Sequence, residues 1–345
     1  MSQRPRKRTK KSSFSGNHQR SWLWGLHAVN ETLEAGIWPL LEVFATRDAF
    51  EKSRVLSQPS RSPSFRVEIV AADRLEQLCR SAEHQGLIAR MGDYPYCPWS
   101  KFEQRLGEER RAQTNVPSEK VSKQASEEAP EEASGEGSGE GSGEGSEEGS
   151  EEGSVEGSVE GSEQISEQAS QEDLEQISEQ VFDPSPPPLI VLCDRIQDTF
   201  NFGAILRCCD GANVMGVVVG MHAQALVTPH VARSSAGAVN HITVVQAPDL
   251  VAAARSLQAL GWQLVAADCN ASQTAWNAPL AGRTALVIGS EAHGIRPELL
   301  EICDQQVCIP MEGKVASLNA AVATGILLYE IRRQQLAGHT RKSLI

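Results

Sequence analysis

Leu189-Ile190-Val191-Leu192-Cys193 is followed by a ten-residue loop from Asp194 to Gly203, then by Ala204-Ile205-Leu206-Arg207-Cys208-Cys209-Asp210-Gly211-Ala212 and by Gly216-Val217-Val218-Val219. The first piece is an unbroken apolar run, the pattern of a strand buried on both faces. The second has helical spacing over Ala204–Ala212, and the third is another short β-branched run. Strand, helix and strand at this spacing predict two parallel strands joined by a crossover helix. The same alternation continues downstream: a strand over Ile242–Val245, a helix over Asp249–Leu260 and a strand over Gln263–Asp268. A strand over Ala285–Ile288, a short helix over Pro297–Ile302 with Pro in its first turn, and a strand over Val307–Met311 come next. A long helix over Ser317–Gln334, with Ser317 placed to cap it, ends the series. The region 188–345 therefore reads as an α/β domain with a mostly parallel sheet covered on both faces.

Upstream of this domain the composition changes abruptly. From Gln124 to Asp183 there is no Lys or Arg, while eighteen Glu and two Asp give a charge of −20. Removing that from the chain's −13 leaves +7, which equals the seven basic residues of the first twenty. The acidity thus belongs to a Glu-Gly-Ser tract and excludes nothing about nucleic acid, because charge acts segment by segment. Residues 98–187 read as a linker that opens with a charged, loosely helical stretch and ends at Pro184, Pro186, Pro187 and Pro188. Residues 21–97 read as a small α/β domain, with helices over His27–Ala35 and Asp73–Arg80 and strands over Leu41–Ala45 and Phe65–Val70. Residues 1–20 form a basic tail, either a solubilising terminus or a phosphate-binding arm.

Eight cysteines occur without a CxxC pair, mostly in apolar or alternating stretches. This pattern favours reduced core thiols in a cytoplasmic protein over disulfides or a zinc site. No apolar run approaches the length of a membrane span, and no hydrophobic signal region follows the basic start. An organelle transit peptide shares the composition of that start.

In open parallel sheets ligands gather at loops leaving the carboxyl ends of strands. Three such loops carry unusual residues: Asp194 to Gly203 with Arg207 on the helix behind it, Gly289-Ser290-Glu291-Ala292-His293-Gly294, and Pro310 to Asn319. Taken singly, each reads better as a connecting turn, with Asn201 as turn former, Glu291 exposed and Ser317 as cap. None matches a dinucleotide fingerprint or a P-loop, and no spacing suggests a metal.

Together, Asn201-Phe202-Gly203-Ala204-Ile205-Leu206-Arg207, Ile288-Gly289-Ser290-Glu291-Ala292-His293-Gly294-Ile295, and Ile309-Pro310-Met311 with Ser317-Leu318-Asn319-Ala320-Ala321-Val322-Ala323 resemble, in order and spacing, the three motifs of the SpoU (TrmH-like) branch of the SPOUT RNA methyltransferases. Trp24-Gly25-Leu26-His27-Ala28-Val29 and His84-Gln85-Gly86-Leu87-Ile88-Ala89 resemble the two ends of that family's substrate-binding domain. The resemblance implies a trefoil-knotted catalytic domain behind a small L30e-like domain, and a homodimer with active sites near the subunit interface. It implies transfer of a methyl group from S-adenosylmethionine to a ribose 2′-hydroxyl of RNA, the L30e-like domain pointing to guanosine in 23S rRNA. The same chemistry on tRNA, or a non-catalytic ribosome-assembly factor on this scaffold, stand as alternatives.

The resemblance places Asn201, Arg207, Glu291, Ser317 and Asn319 at the catalytic site, and Gly289, Ile309, Met311 and Leu318 around the cofactor. A guanidinium stays protonated in proteins, so Arg207 is expected to stabilise a developing alkoxide or grip a phosphate rather than act as a base. Gly289 suits close approach of a ligand to backbone. His84 and His293, each near a glycine in a turn, suit structural or RNA-contact roles better than catalysis; His84, Arg233, Arg332 and Arg333 are candidate RNA contacts. One departure stands out. After Arg233-Ser234-Ser235-Ala236-Gly237-Ala238 come Asn240 and His241, where the family usually has a more apolar run.

Overall fold

A computed structural model describes residues 21–57, 65–114 and 186–342. The basic start and the acidic tract, to which the tail and most of the linker expectation refer, lie outside these residues.

The small N-terminal domain runs β1 (Trp22–Trp24), α1 (Leu26–Ala35), β2 (Leu40–Ala45), α2 (Arg47–Lys52), β3 (Arg66–Ile69), α3 (Ala72–Cys79) and β4 (Leu87–Met91). Its sheet has the order β1-β4-β2-β3, with β2 and β3 parallel and the other pairs antiparallel. Leu23 faces one core, while Trp22 and Trp24 pack on the other side with Leu75, Cys79 and Ile88. Helix α2 was not among the expected elements. It is too short for a periodicity, and its signal is local: the Thr46 hydroxyl accepts from the Ala49 N–H, and Lys52 pairs with Asp48 one turn back.

The segment after residue 97 is not yet linker. Cys97–Pro98 form β5, which pairs in parallel with a strand of the large sheet, and Trp99–Thr114 form α4. Phe102 and Leu106, one turn apart, are buried in the core of the large domain. They lay Phe102 so close to Gly216 that a Cβ there would sit 2.8 Å from the ring.

The large domain runs β6 (Leu189–Asp194), α5 (Thr199–Gly211), β7 (Gly216–Gly220), α6 (Pro229–Ser234), β8 (Val244–Ala247), α7 (Leu250–Ala259), β9 (Gln263–Ala267) and β10 (Gln273–Thr274), then β11 (Thr284–Gly289), α8 (Pro297–Leu300), β12 (Gln305–Cys308) and α9 (Ala320–Lys342). The strand order is β10-β12-β9-β11-β6-β7-β8-β5, and every pair is parallel. Alternate residues of the buried strands feed two cores, as the pleat requires. Leu189, Val191 and Cys193 face Ile205, Leu206, Leu327 and Leu328 of α5 and α9. Ile190 and Leu192 face Phe102, Ala254, Leu257 and Leu299 of α4, α7 and α8.

Several expected boundaries move, and the last helix runs on to Lys342 rather than ending at Gln334. Helix α5 starts at Thr199, five residues early, because the Asp198 carboxylate caps it by accepting from the Asn201 N–H. The strand expected over Ile242–Val245 lies at Val244–Ala247: Ile242 is buried in a turn, its N–H bonded to the Ala238 carbonyl. Strand β12 ends at Cys308, leaving Ile309–Asn319 as a loop. Helix α9 begins at Ala320, and its cap is Asn319 rather than Ser317, the Asn319 Oδ1 accepting from the N–H groups of Ala321 and Val322.

Candidate active site

The loops that leave the carboxyl ends of β9, β11 and β12 enclose a cavity of about 660 Å³. Ile288, Gly289 and the loop Ser290–Ile295 form one wall. Cys308, Ile309, Met311 and Ala316–Asn319 form a second, and Leu327 of α9 closes the floor. The third wall, Ala267–Asn270 after β9, went unmarked in the sequence because it holds no family motif. Its position at a strand's carboxyl end was the available signal.

The second motif loop is closed on itself. Ser290 and Gly294 exchange both backbone hydrogen bonds, at 3.1 and 2.8 Å. A Cβ on Gly289 would fall inside the Gly294 carbonyl group. Glycine is therefore required there by the loop's own backbone, before any ligand arrives.

Three expected site residues, Asn201 in the first turn of α5 and Glu291 and Asn319 in two loops, meet in one hydrogen-bonded chain. The Asn319 amide donates to the Asn201 Oδ1 at 2.9 Å, and the Asn201 amide donates to the Glu291 carboxylate. Asn319 does two jobs, since its carbonyl oxygen caps α9 while its amide reaches Asn201. Ser317, Leu318 and Met311 line the cavity beside this chain, and Ile309 packs half-buried below it. Arg207 is not brought into this group. It stands exposed on α5, six residues beyond Asn201, or about 9 Å at 1.5 Å per residue. His293 lies exposed at the cavity wall, its N–H donating to the Ser290 hydroxyl.

The residues expected to contact RNA have acquired partners within the fold. Arg233 lies over the Trp24 ring, 3.4 Å from its centroid, and is hydrogen-bonded to the His230 ring. Burial lowers its pKa. Arg332 donates to the carbonyls of Pro187, Ala212 and Asn213 and to the Gln335 side chain, so it ties α9 to the entry of β6 and the exit of α5. Arg333 is exposed and forms a fork to Glu330, whose pKa it lowers. His84 is nearly buried, and its Nδ1 accepts from the Gly86 N–H, holding the turn into β4.

Asn240 and His241, the departure from the family pattern, face the small domain. The buried Asn240 amide donates to the Thr32 hydroxyl, and the His241 ring meets the Glu31 carboxylate at 2.6 Å. Tyr94 and Tyr96 add bonds to the Val239 carbonyl and the Val227 N–H.

All eight cysteines are free. Burial pushes the Cys193 and Cys303 thiols up to about 12 and Cys209 well above its ordinary value. Cys269 is exposed, at the cavity wall. Among the described residues no helix is long and apolar enough to cross a membrane.

Comparison with known proteins agrees with this geometry. The SpoU rRNA Methylase family matches residues 188–329, and the RNA 2′-O ribose methyltransferase substrate-binding family matches residues 22–97. The chain is 38% identical over 150 residues to the 23S rRNA (guanosine-2′-O-)-methyltransferase RlmB of Vibrio vulnificus, covering 44% of this chain and 61% of that protein. The corresponding Xanthomonas axonopodis protein is 40% identical over 148 residues, 43% of this chain and 59% of its own. The chain thus spans about three fifths of the length of the curated relatives it matches. The fold is shared with the SpoU methyltransferase AviRb of Streptomyces viridochromogenes, solved with the cofactor AdoMet, at a TM-score of 0.58 and 20% identity over 92% of this chain and 90% of that one. An AdoMet-bound rRNA methyltransferase of Sinorhizobium meliloti has a TM-score of 0.57 and 18% identity, over 90% and 86% of the two chains. Residues 22–97 and 188–329 thus form, in order, a substrate-binding domain and a SpoU rRNA methylase domain, with the second and third motif loops lining one cavity and Asn201 of the first motif hydrogen-bonded at its rim.

Proposed function

We propose that this protein methylates a ribose 2′-hydroxyl of RNA with S-adenosylmethionine, its target a guanosine of 23S rRNA in the cytoplasm. The observation that carries the reading is the cavity, walled by Gly289, Met311 and Leu318, with the Asn201–Glu291–Asn319 chain at its rim. Its size lies in the range of small-molecule sites. Its lining suits an adenosyl cofactor: Ile288, Ile309, Leu318 and Leu327 offer an apolar surface for a base, while Asp268, Asn270 and Ser317 offer partners for hydroxyl and amino groups.

Bound S-adenosylmethionine supplies an electrophilic methyl group. The protein's part is to present the ribose oxygen in line and to manage its proton. Asn201, hydrogen-bonded to both Glu291 and Asn319, orients the Glu291 carboxylate at the rim. That carboxylate is the proton acceptor in this group, while the Arg207 guanidinium stabilises the developing alkoxide. Arg207 stands about 9 Å along α5 from Asn201, a placement that suits a site completed by a second copy of the chain. Val322 and Tyr329, exposed at 50% and 58% and seven residues apart on α9, give that copy an apolar stripe to cover. We therefore read the active form as a homodimer. The RlmB relatives and the substrate-binding family support rRNA as the target.

The test is transfer of labelled methyl groups to rRNA, with ribose methylation mapped across total RNA in cells with and without the protein. Arg207→Ala is expected to lose transfer while keeping cofactor and RNA binding. Cofactor binding by the wild type, with no RNA methylated, would favour the assembly-factor alternative.

A further inference from the structure

The cavity wall Ser290–Ile295 is held at both feet, and the second foot depends on a buried charge. Asp194, the last residue of β6, sits opposite Gly289 of β11 and is fully buried. Its Oδ2 accepts from the Arg296 main-chain N–H at 2.8 Å, and its Oδ1 accepts from the Arg296 Nε at 2.8 Å and from a terminal guanidinium nitrogen at 2.5 Å. One carboxylate thus takes three hydrogen bonds from the residue at which the loop returns. The Arg195 Nε adds a longer ion pair at 3.5 Å.

This charge is not needed to complete the sheet. The five residues before it, Leu189–Cys193, are apolar and buried, and a sixth would end the strand as well. Burying a carboxylate carries a desolvation cost that is offset only by such dense pairing. What the pairing secures is the loop: every residue from Ser290 to Ile295 lines the cavity. The Ser290–Gly294 bridge closes its first foot, and Asp194 is the only side chain among the described residues bonded to the backbone of the second.

We propose that Asp194 is a positioning residue that sets affinity for S-adenosylmethionine: by gripping Arg296 it fixes the shape of the wall against which the cofactor lies, without touching the cofactor itself. The inference depends on reading the cavity as the cofactor site. Asp194→Asn keeps the shape and one acceptor but loses the charge, and Arg296→Met removes the fork. Removing either partner frees the same loop foot, so the two substitutions together are no worse than one.

The experiment measures S-adenosylmethionine binding by calorimetry, and steady-state methylation, for the wild type, Asp194→Asn, Arg296→Met and the double variant. Each variant is expected to raise the KM for S-adenosylmethionine by about tenfold, with kcat at saturating cofactor and the KM for RNA within about threefold of wild type. A merely structural role would instead lower kcat through loss of folded enzyme and leave the cofactor KM alone. Arg296→Lys keeps the charge and the main-chain bond; should Asp194→Asn fail to fold, a several-fold rise in its cofactor KM carries the test. Unchanged cofactor KM in the folded variants, with the wild type binding normally, overturns the inference alone. Failure of the wild type to bind S-adenosylmethionine overturns the reading of the cavity and this inference with it.

Discussion

Gly289 and Cys269 border the same cavity and test it in opposite ways. Gly289→Ala drives a Cβ into the Gly294 carbonyl, so the loop must open by the width of a methyl group. The expected result is loss of S-adenosylmethionine binding and a cost of about 1–3 kcal/mol in unfolding free energy, read by calorimetry and denaturant titration. Cys269 needs no substitution. It is exposed at the cavity wall, while burial holds the Cys193, Cys209 and Cys303 thiols protonated at neutral pH. A brief alkylation followed by mass spectrometry is expected to modify Cys269 ahead of those three, and added S-adenosylmethionine to slow it. Equal labelling with and without the cofactor would move the ligand away from this wall.

Helix α9 shows how an element boundary becomes part of a site. Its cap was expected at Ser317 because Ser is a good capping residue at the edge of an apolar-periodic stretch. The segment Ile309–Asn319 instead remains a loop, part of it lining the cavity, and Asn319 both starts the helix and reaches Asn201. The two jobs separate by substitution. Asn319→Asp keeps the capping oxygen and loses the amide, so stability is expected to hold while methyl transfer falls. Asn319→Ala loses both, with a stability cost of about 1 kcal/mol. Thermal unfolding beside an activity assay distinguishes them; equal activity in Asn319→Asp would show that the bond to Asn201 is dispensable. The early start of α5 has a similar origin: Asp198 was legible as a capping type, but Thr199-Phe200-Asn201 lacks the apolar spacing that marks a helix.

At the scale of the molecule, the two domains share one hydrophobic core and a set of polar bonds. Trp24 lies under Arg233, Thr32 pairs with Asn240, and Glu31 pairs with His241. Arg233 was a candidate for RNA phosphate contact. Its position over Trp24 leads to a different expectation: Arg233→Ala lowers stability by about 2 kcal/mol and leaves the salt dependence of RNA binding unchanged. A phosphate contact would instead reduce the salt slope by about one, with little effect on unfolding. The departure at Asn240 and His241 thus acquires a physical account, since a more apolar run there would leave Thr32 and Glu31 without these partners.

The alternation of strands and helices, the separation of the acidic tract and the three motif loops were all legible in the amino-acid sequence. Each is encoded locally, by apolar period, by charge per segment or by a run of motif residues. Tertiary structure decided which of those residues meet. Asn201, Glu291 and Asn319 are separated by 90 and 118 positions, and Asp194 and Arg296 by 102. They come together because parallel pairing sets β11 beside β6 and β9, and β12 beside β9, an order that no local pattern specifies. The same order leaves Arg207 on an outer helix face, although the motif had placed it beside Asn201. In a parallel sheet the chemistry gathers at strand ends, and which ends are neighbours is settled only when the whole sheet has formed.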